Sequence, residues 1–129
     1  MTSILLVEDA QEITDVVATL LTDEGFEVAA CERAEDALSR IADALPDLLI
    51  LDGRLPGMSG WQCLDLLRGA DLSVRLPVVM LTAAIHELQS FARPPDDCTA
   101  YLGKPFDVDT LLDAIQSILK TCNLSLIHI

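Results

Sequence analysis

Pro46-Asp47-Leu48-Leu49-Ile50-Leu51-Asp52-Gly53-Arg54-Leu55-Pro56-Gly57-Met58-Ser59-Gly60 decides the fold. A proline and an acid open it, four consecutive aliphatics follow, and an isolated carboxylate, Asp52, ends the run. A short unbroken apolar run bounded by turn residues is the pattern of a strand buried on both faces, as in a parallel sheet. Asp52 then stands at the carboxyl end of that strand, beside a glycine-rich loop. In open α/β sheets this edge is where ligands bind. A carboxylate there is placed to react rather than to support a core.

Outward from this stretch, strands and helices alternate. Ser3–Val7 reads as a first buried strand that runs into Glu8 and Asp9. Gln11–Glu24 has Ile13, Val16, Val17, Leu20 and Leu21 at helical spacing and stops at Gly25. Phe26–Cys31 reads as a strand, and Ala34–Ala44 as a helix with Ala37, Leu38 and Ile41 inward. After the opening stretch, Trp61–Arg68 reads as a helix carrying Leu64, Leu66 and Leu67. Trp61 itself is read as helix packing or surface rather than a ligand platform. Pro77–Leu81 is a strand followed by Thr82, and Ile85–Ala92 a short helix ended by Arg93-Pro94-Pro95, since proline breaks the helical ladder. His86 is read as a solvated residue near the start of that helix. Ala100–Gly103 is a last short strand leading into Lys104-Pro105. Asp107–Lys120 is a final amphipathic helix with Val108, Leu111, Leu112, Ile115 and Leu119 inward. Five strands alternating with five helices imply right-handed crossovers and a parallel sheet covered on both faces.

The chain has 129 residues, enough for one domain with its own core. It is 51% hydrophobic and only 4% aromatic, so that core is aliphatic. No apolar run is long enough to cross a bilayer, and Met1-Thr2-Ser3 brings no basic region before the first apolar run, so no signal peptide is expected. The formal net charge of −13 argues against direct nucleic-acid binding and against adhesion to anionic membranes. The four cysteines, Cys31, Cys63, Cys98 and Cys122, lie far apart and are read as reduced thiols of a cytoplasmic protein. Leu124–Ile129 fits no element and resembles the translation of a sequencing-library transposon adaptor. Residues 122–129 are accordingly set apart as a disordered tail; if the last six are not natural sequence, the true chain would continue past residue 123, with any output domain outside this sequence.

Every notable polar residue falls at the carboxyl end of an expected strand: Glu8 and Asp9, Asp52, Thr82 and Lys104. If those strands are neighbours, the residues converge on one crevice at the switch point of the sheet. Three carboxylates held together repel one another unless a cation is present. Oxygen-only ligation favours a hard ion such as Mg²⁺. Metal, ammonium and hydroxyl together suit a phosphoryl group, and Asp52 is then the natural nucleophile. Plainer readings stand beside these. Asp52 could bond a loop amide, Glu8 and Asp9 could cap the first helix, Thr82 could be a cap, and Lys104 a surface lysine. Tyr101 could be a half-buried core aromatic.

At these residues the chain resembles the receiver domain of bacterial two-component response regulators, the CheY-like superfamily. The resemblance runs from about Ile4 to Leu119 and lies in Leu5-Leu6-Val7-Glu8-Asp9, Leu51-Asp52 with Leu55-Pro56-Gly57-Met58-Ser59-Gly60, Leu81-Thr82-Ala83, and Tyr101-Leu102-Gly103-Lys104-Pro105-Phe106. Spacings of 43 residues from Asp9 to Asp52, 30 to Thr82 and 22 more to Lys104 are those of the family. The resemblance implies a (βα)5 flavodoxin-like sheet of order 2-1-3-4-5 over residues 1–121. It implies that Asp52 accepts a phosphoryl group from a sensor histidine kinase or phosphotransfer protein. It implies that Glu8, Asp9, Asp52 and the main-chain carbonyl of Arg54 bind Mg²⁺, and that Thr82 and Lys104 contact the phosphoryl oxygens. A cis Lys104–Pro105 peptide and a switch through Thr82 and Tyr101 are implied as well. The output would pass to a downstream protein or a missing C-terminal domain.

Several positions depart from the family pattern. Gly53 replaces an aliphatic residue, from which a looser backbone is expected. Ala84 cannot hydrogen-bond an attacking water, Arg54 could shield a phosphate electrostatically, and Ala92–Asp97 should shorten the preceding helix. The expected protein is a signalling switch with at most self-catalysed phosphorylation and dephosphorylation, not an enzyme on small metabolites. One rival is an interaction module that works without phosphorylation. The other is an aspartyl-nucleophile phosphatase, against which Arg54 counts: it stands where haloacid-dehalogenase-like enzymes carry a second Asp. A flavin or nucleotide binder on this fold would need a glycine-rich phosphate loop after the first strand, which is missing.

Overall fold

The structure is a computed structural model that describes residues 1–69, 76–83 and 97–127, the last five of these by backbone alone. Five strands are present: β1 (Ser3–Val7), β2 (Glu27–Cys31), β3 (Leu48–Asp52), β4 (Val78–Thr82) and β5 (Thr99–Gly103). They form one parallel sheet in the order β2-β1-β3-β4-β5. Among the described residues four helices pack on it: α1 (Gln11–Asp23), α2 (Ala34–Asp43), α3 (Gly60–Gly69) and α4 (Val108–Ile127). The doubly wound sheet of the expected order is therefore present. The expected helix over 85–92, His86, Ala84 and the Arg93-Pro94-Pro95 turn lie outside the described residues.

β3 and β4 are buried at every position, which explains their continuous apolar runs. Alternate side chains feed two cores. Leu5, Val7, Leu49, Leu51, Val78 and Met80 pack with α2 and α3, while Ile4, Leu6, Leu48, Ile50, Val79 and Leu81 pack with α1 and α4. The period of two along each strand thus divides one aliphatic run between two layers.

The helices correct some expectations. The inner line of α1 is Thr14, Val17 and Leu21; Val16 is 59% exposed. Helical spacing marks an apolar stripe but not which of its edges meets the sheet. On α3, Leu66 is likewise exposed, and on α4 Ile118 is buried although it was not counted inward. Asp9 does not cap α1, whose N-cap is Ala10 without a side-chain bond. α4 begins with Asp107 accepting the Thr110 amide at 2.7 Å, an N-cap bond; the Thr110 hydroxyl first and this amide second hold the Asp107 carboxyl below its usual range. α4 also runs to Ile127, so most of the stretch expected to be a disordered tail is helical backbone.

The reading of all four cysteines as thiols is also corrected. Cys98, just before β5, and Cys122, on α4, form a disulfide with their Cα atoms 4.6 Å apart. Twenty-four residues separate them in sequence, and only the return of α4 along the sheet brings them together. Cys31 and Cys63 are free, and burial pushes the Cys63 thiol up to about 11.

Candidate functional site

Strand register assembles the site. Val7 pairs with Leu51, so Glu8 emerges beside Asp52. Asp52 pairs with Leu81, and Thr82 with Gly103, so Thr82 and Lys104 emerge on the other side of Asp52. The Lys104 amide donates to the Thr82 carbonyl at 2.7 Å, which ties the ends of β4 and β5. The Lys104–Pro105 peptide is cis.

The Lys104 ammonium donates to Asp52 Oδ2 at 2.8 Å and to Glu8 Oε1 at 3.0 Å. Asp52 Oδ1 accepts the Arg54 backbone amide at 3.0 Å. Asp52 therefore does bond a loop amide, as the plainer reading allowed, while its other oxygen faces the lysine. Glu8, Asp52 and Thr82 are buried, Lys104 is half-buried and Asp9 is exposed. Tyr101 is 39% exposed, so it is not a core side chain.

Electrostatics separate the two buried acids. Burial pushes Glu8 from an ordinary 4.5 up to about 7; the neighbouring Asp52 carboxylate adds to the rise and the Lys104 ammonium opposes it. Burial also works against ionised Asp52, but Glu8, Lys104 and the Arg54 amide together hold its carboxyl below the usual range. Lys104 is raised: burial disfavours its charge, and the bonds to Asp52 and Glu8 outweigh that. Asp52 is thus ionised at neutral pH, which is the form a nucleophile needs.

The donor set fits a hard divalent cation. Glu8, Asp9 and Asp52 each offer a carboxylate oxygen, and these oxygens lie within 4.8 Å of one another. Glu8 Oε2 is buried without a hydrogen-bond partner. A buried acceptor left unsatisfied costs roughly 1–3 kcal/mol, so an oxygen-seeking ion is a natural partner for it.

The loop after Asp52 is tightly held, against the expectation from Gly53. The Gly53 amide donates to the Leu81 carbonyl at 2.8 Å, and the Gly53 carbonyl accepts the Gly60 amide at 3.1 Å. A Cβ on Gly53 would meet Trp61 Nε1 at 2.6 Å, and one on Gly60 would strike the Asp52 carbonyl. Trp61, 4% exposed, also stacks on Tyr101 with ring centroids 6.1 Å apart. Sequence reasoning missed this contact, although an unusual glycine eight residues before the sole tryptophan was its signal.

A five-stranded, doubly wound sheet with an acidic cluster at its switch point defines a flavodoxin-like α/β protein with a cation-type site. Within that class the chain belongs to the response regulator receiver domain family, which matches residues 4–116. It is 38% identical over 120 residues to the phosphate regulon transcriptional regulatory protein PhoB of Rhizobium meliloti, covering 91% of this chain and 52% of that protein. The chain thus spans about half the length of the curated relatives it matches. Among solved structures, NtrX from Brucella abortus superposes with a TM-score of 0.83 at 34% identity, over 97% of this chain and 29% of that one. Chemotaxis protein CheY4 of Vibrio cholerae does so with a TM-score of 0.78 at 28% identity, over 92% and 98%. Among the described residues no helix is long and apolar enough to cross a membrane.

Proposed function

We propose that Asp52 accepts a phosphoryl group from a phosphohistidine of a partner sensor kinase or phosphotransfer protein. In this step the bond from phosphorus to the donor nitrogen breaks, a bond to a carboxylate oxygen of Asp52 forms, and the imidazole keeps the electron pair. The observation that carries the reading is the Lys104 ammonium bridging Asp52 and Glu8 beside Asp9. Lys104 holds Asp52 ionised before transfer and stands ready for a phosphoryl oxygen after it, with the Thr82 hydroxyl as a second donor. Glu8, Asp9, Asp52 and the Arg54 carbonyl would hold Mg²⁺, which supplies positive charge against the phosphoryl oxygens when bound. Phosphorylation and its reversal are catalysed by this chain's own residues, with no metabolite turned over.

The new dianionic group biases a two-state surface through Thr82 and Tyr101. Residues 1–121 form the receiver unit of a longer cytoplasmic protein. Its output passes to a further domain or a downstream protein, as the kinship with a transcriptional regulator supports. For the donor protein, an apolar hollow of about 560 Å³ opens beside Lys104, lined by Ile13, Val16, Val17, Ala83 and Phe106. That placement gives the exposed Val16 a use.

Borohydride reduction after phosphorylation tests the reading, because an acyl phosphate is converted to homoserine at the site of attachment. Peptide masses should place homoserine at position 52. Phosphorylated protein with homoserine elsewhere, or with none, overturns the assignment.

A further inference from the structure

We infer that Trp61 is a positioning residue that locks the backbone following Asp52 and couples it to Tyr101. Three contacts meet at this indole. Its Nε1 edge occupies the space that a side chain at Gly53 would fill, 2.6 Å from where a Cβ would stand, with Cε2 at 2.9 Å and Cζ2 at 3.2 Å. Its ring stacks on the Tyr101 ring at an interplanar angle of 20°. Its body is sealed in the core that α2 and α3 make with the sheet.

Gly53 and Trp61 are therefore two halves of one fit. The missing side chain on β3's exit is supplied from the first turn of α3. Gly53 is bonded on one side to Leu81 of β4 and on the other to Gly60, the residue before Trp61. A displacement of the Asp52–Gly53 backbone must move the indole, and the indole lies against the aromatic ring of β5. Packed rings transmit displacement because a dense interior has no slack to absorb it. The coupling runs through contiguous contacts between two elements that also bear on the site.

This role presupposes the phosphoacceptor reading of Asp52, and the test separates the two. Trp61 and Tyr101 are the only tryptophan and the only tyrosine, so each gives one set of ring signals in proton NMR. Magnesium with beryllofluoride, a mimic of the phosphoryl group, is the probe, and uptake from acetyl phosphate is followed by intact mass. In the wild type the Tyr101 ring signals should shift on addition of the probe. In Gly53→Ala, where the new methyl displaces the indole, most of that shift should be lost while phosphoryl uptake still reaches completion. Adding Trp61→Phe to Gly53→Ala vacates the space for the methyl and keeps a stacking ring, so the shift should return. Trp61→Leu alone, which demands no extra room, should lose the shift at full uptake. A Tyr101 shift of wild-type size in Gly53→Ala or Trp61→Leu, or no return in the double variant, overturns the role of Trp61. An absence of mass gain in the wild type instead overturns the phosphoacceptor reading, and the coupling falls with it.

Discussion

Glu8 and Asp52 are adjacent buried carboxylates that the fold pushes apart in acidity, and their pH responses have opposite signs. The folded chain binds the Glu8 proton more tightly than the unfolded chain does, since its value rises from 4.5 to about 7. Glu8 therefore contributes stability at low pH that is lost as pH rises through that window. Asp52 is lowered, so its contribution is present above the ordinary 3.8 and lost as pH falls. In metal-free protein, the Glu8→Gln variant should lose the downward slope of the urea midpoint between about pH 5 and pH 7; a slope equal to wild type would contradict the assignment. If Glu8 ligates the proposed Mg²⁺, metal binding must expel the same proton. Apparent Mg²⁺ affinity should therefore climb by up to about tenfold per pH unit below neutrality and level off above it. A magnesium titration flat with pH would show that Glu8 is no ligand. The polar residues of this site were legible because each follows an apolar strand. The shift of Glu8 was not, because it depends on depth and on Asp52, which β3 brings beside it from 44 residues away in sequence.

At the scale of elements, the turn from β3 into α3 carries the tightest constraint. Gly60 opens α3 where a Cβ would strike the Asp52 carbonyl and stand 3.0 Å from the Gly53 Cα. Backbone on both sides leaves no flexible atom to yield, so Gly60→Ala should cost about 1–3 kcal/mol or more. Gly69, at the other end of the same helix, has open space around its Cβ position. Gly69→Ala should stay within about 0.5 kcal/mol of wild type. Urea midpoints of the two variants check this, and equal midpoints would contradict it. The unbroken run Leu48–Leu51 made β3 readable, and periodicity made the helices readable. Periodicity did not show that Val16 and Leu66 face outward, since that depends on how each helix rolls against the sheet. It also could not reveal Trp61 over Gly53, a match between a gap in one element and a ring from the next.

At the scale of the molecule, chemistry and cross-link occupy opposite ends of the sheet. The carboxylates and Lys104 sit at the carboxyl ends of the strands, whereas Cys98 precedes β5 and ties it to α4. No reading of local pattern joins residues that meet only through the last crossover, which is why the bridge was missed while the strand order was legible. Closing a loop of that length contributes about 3 kcal/mol in the chain-entropy account. Reduction, or Cys122→Ser, should therefore lower the thermal midpoint but leave phosphoryl uptake at Asp52 at its wild-type extent. Loss of uptake in folded, reduced protein would contradict that separation.

The central claim, that Asp52 is a magnesium-dependent phosphoacceptor, meets its most direct test in intact mass after incubation with acetyl phosphate. Wild type and Asp52→Asn would be compared with and without Mg²⁺. The account predicts a gain of one phosphoryl group in wild type only when the metal is present, and no gain in the variant. A folded wild type that gains nothing under any condition, or an Asp52→Asn variant that gains as much, would contradict it.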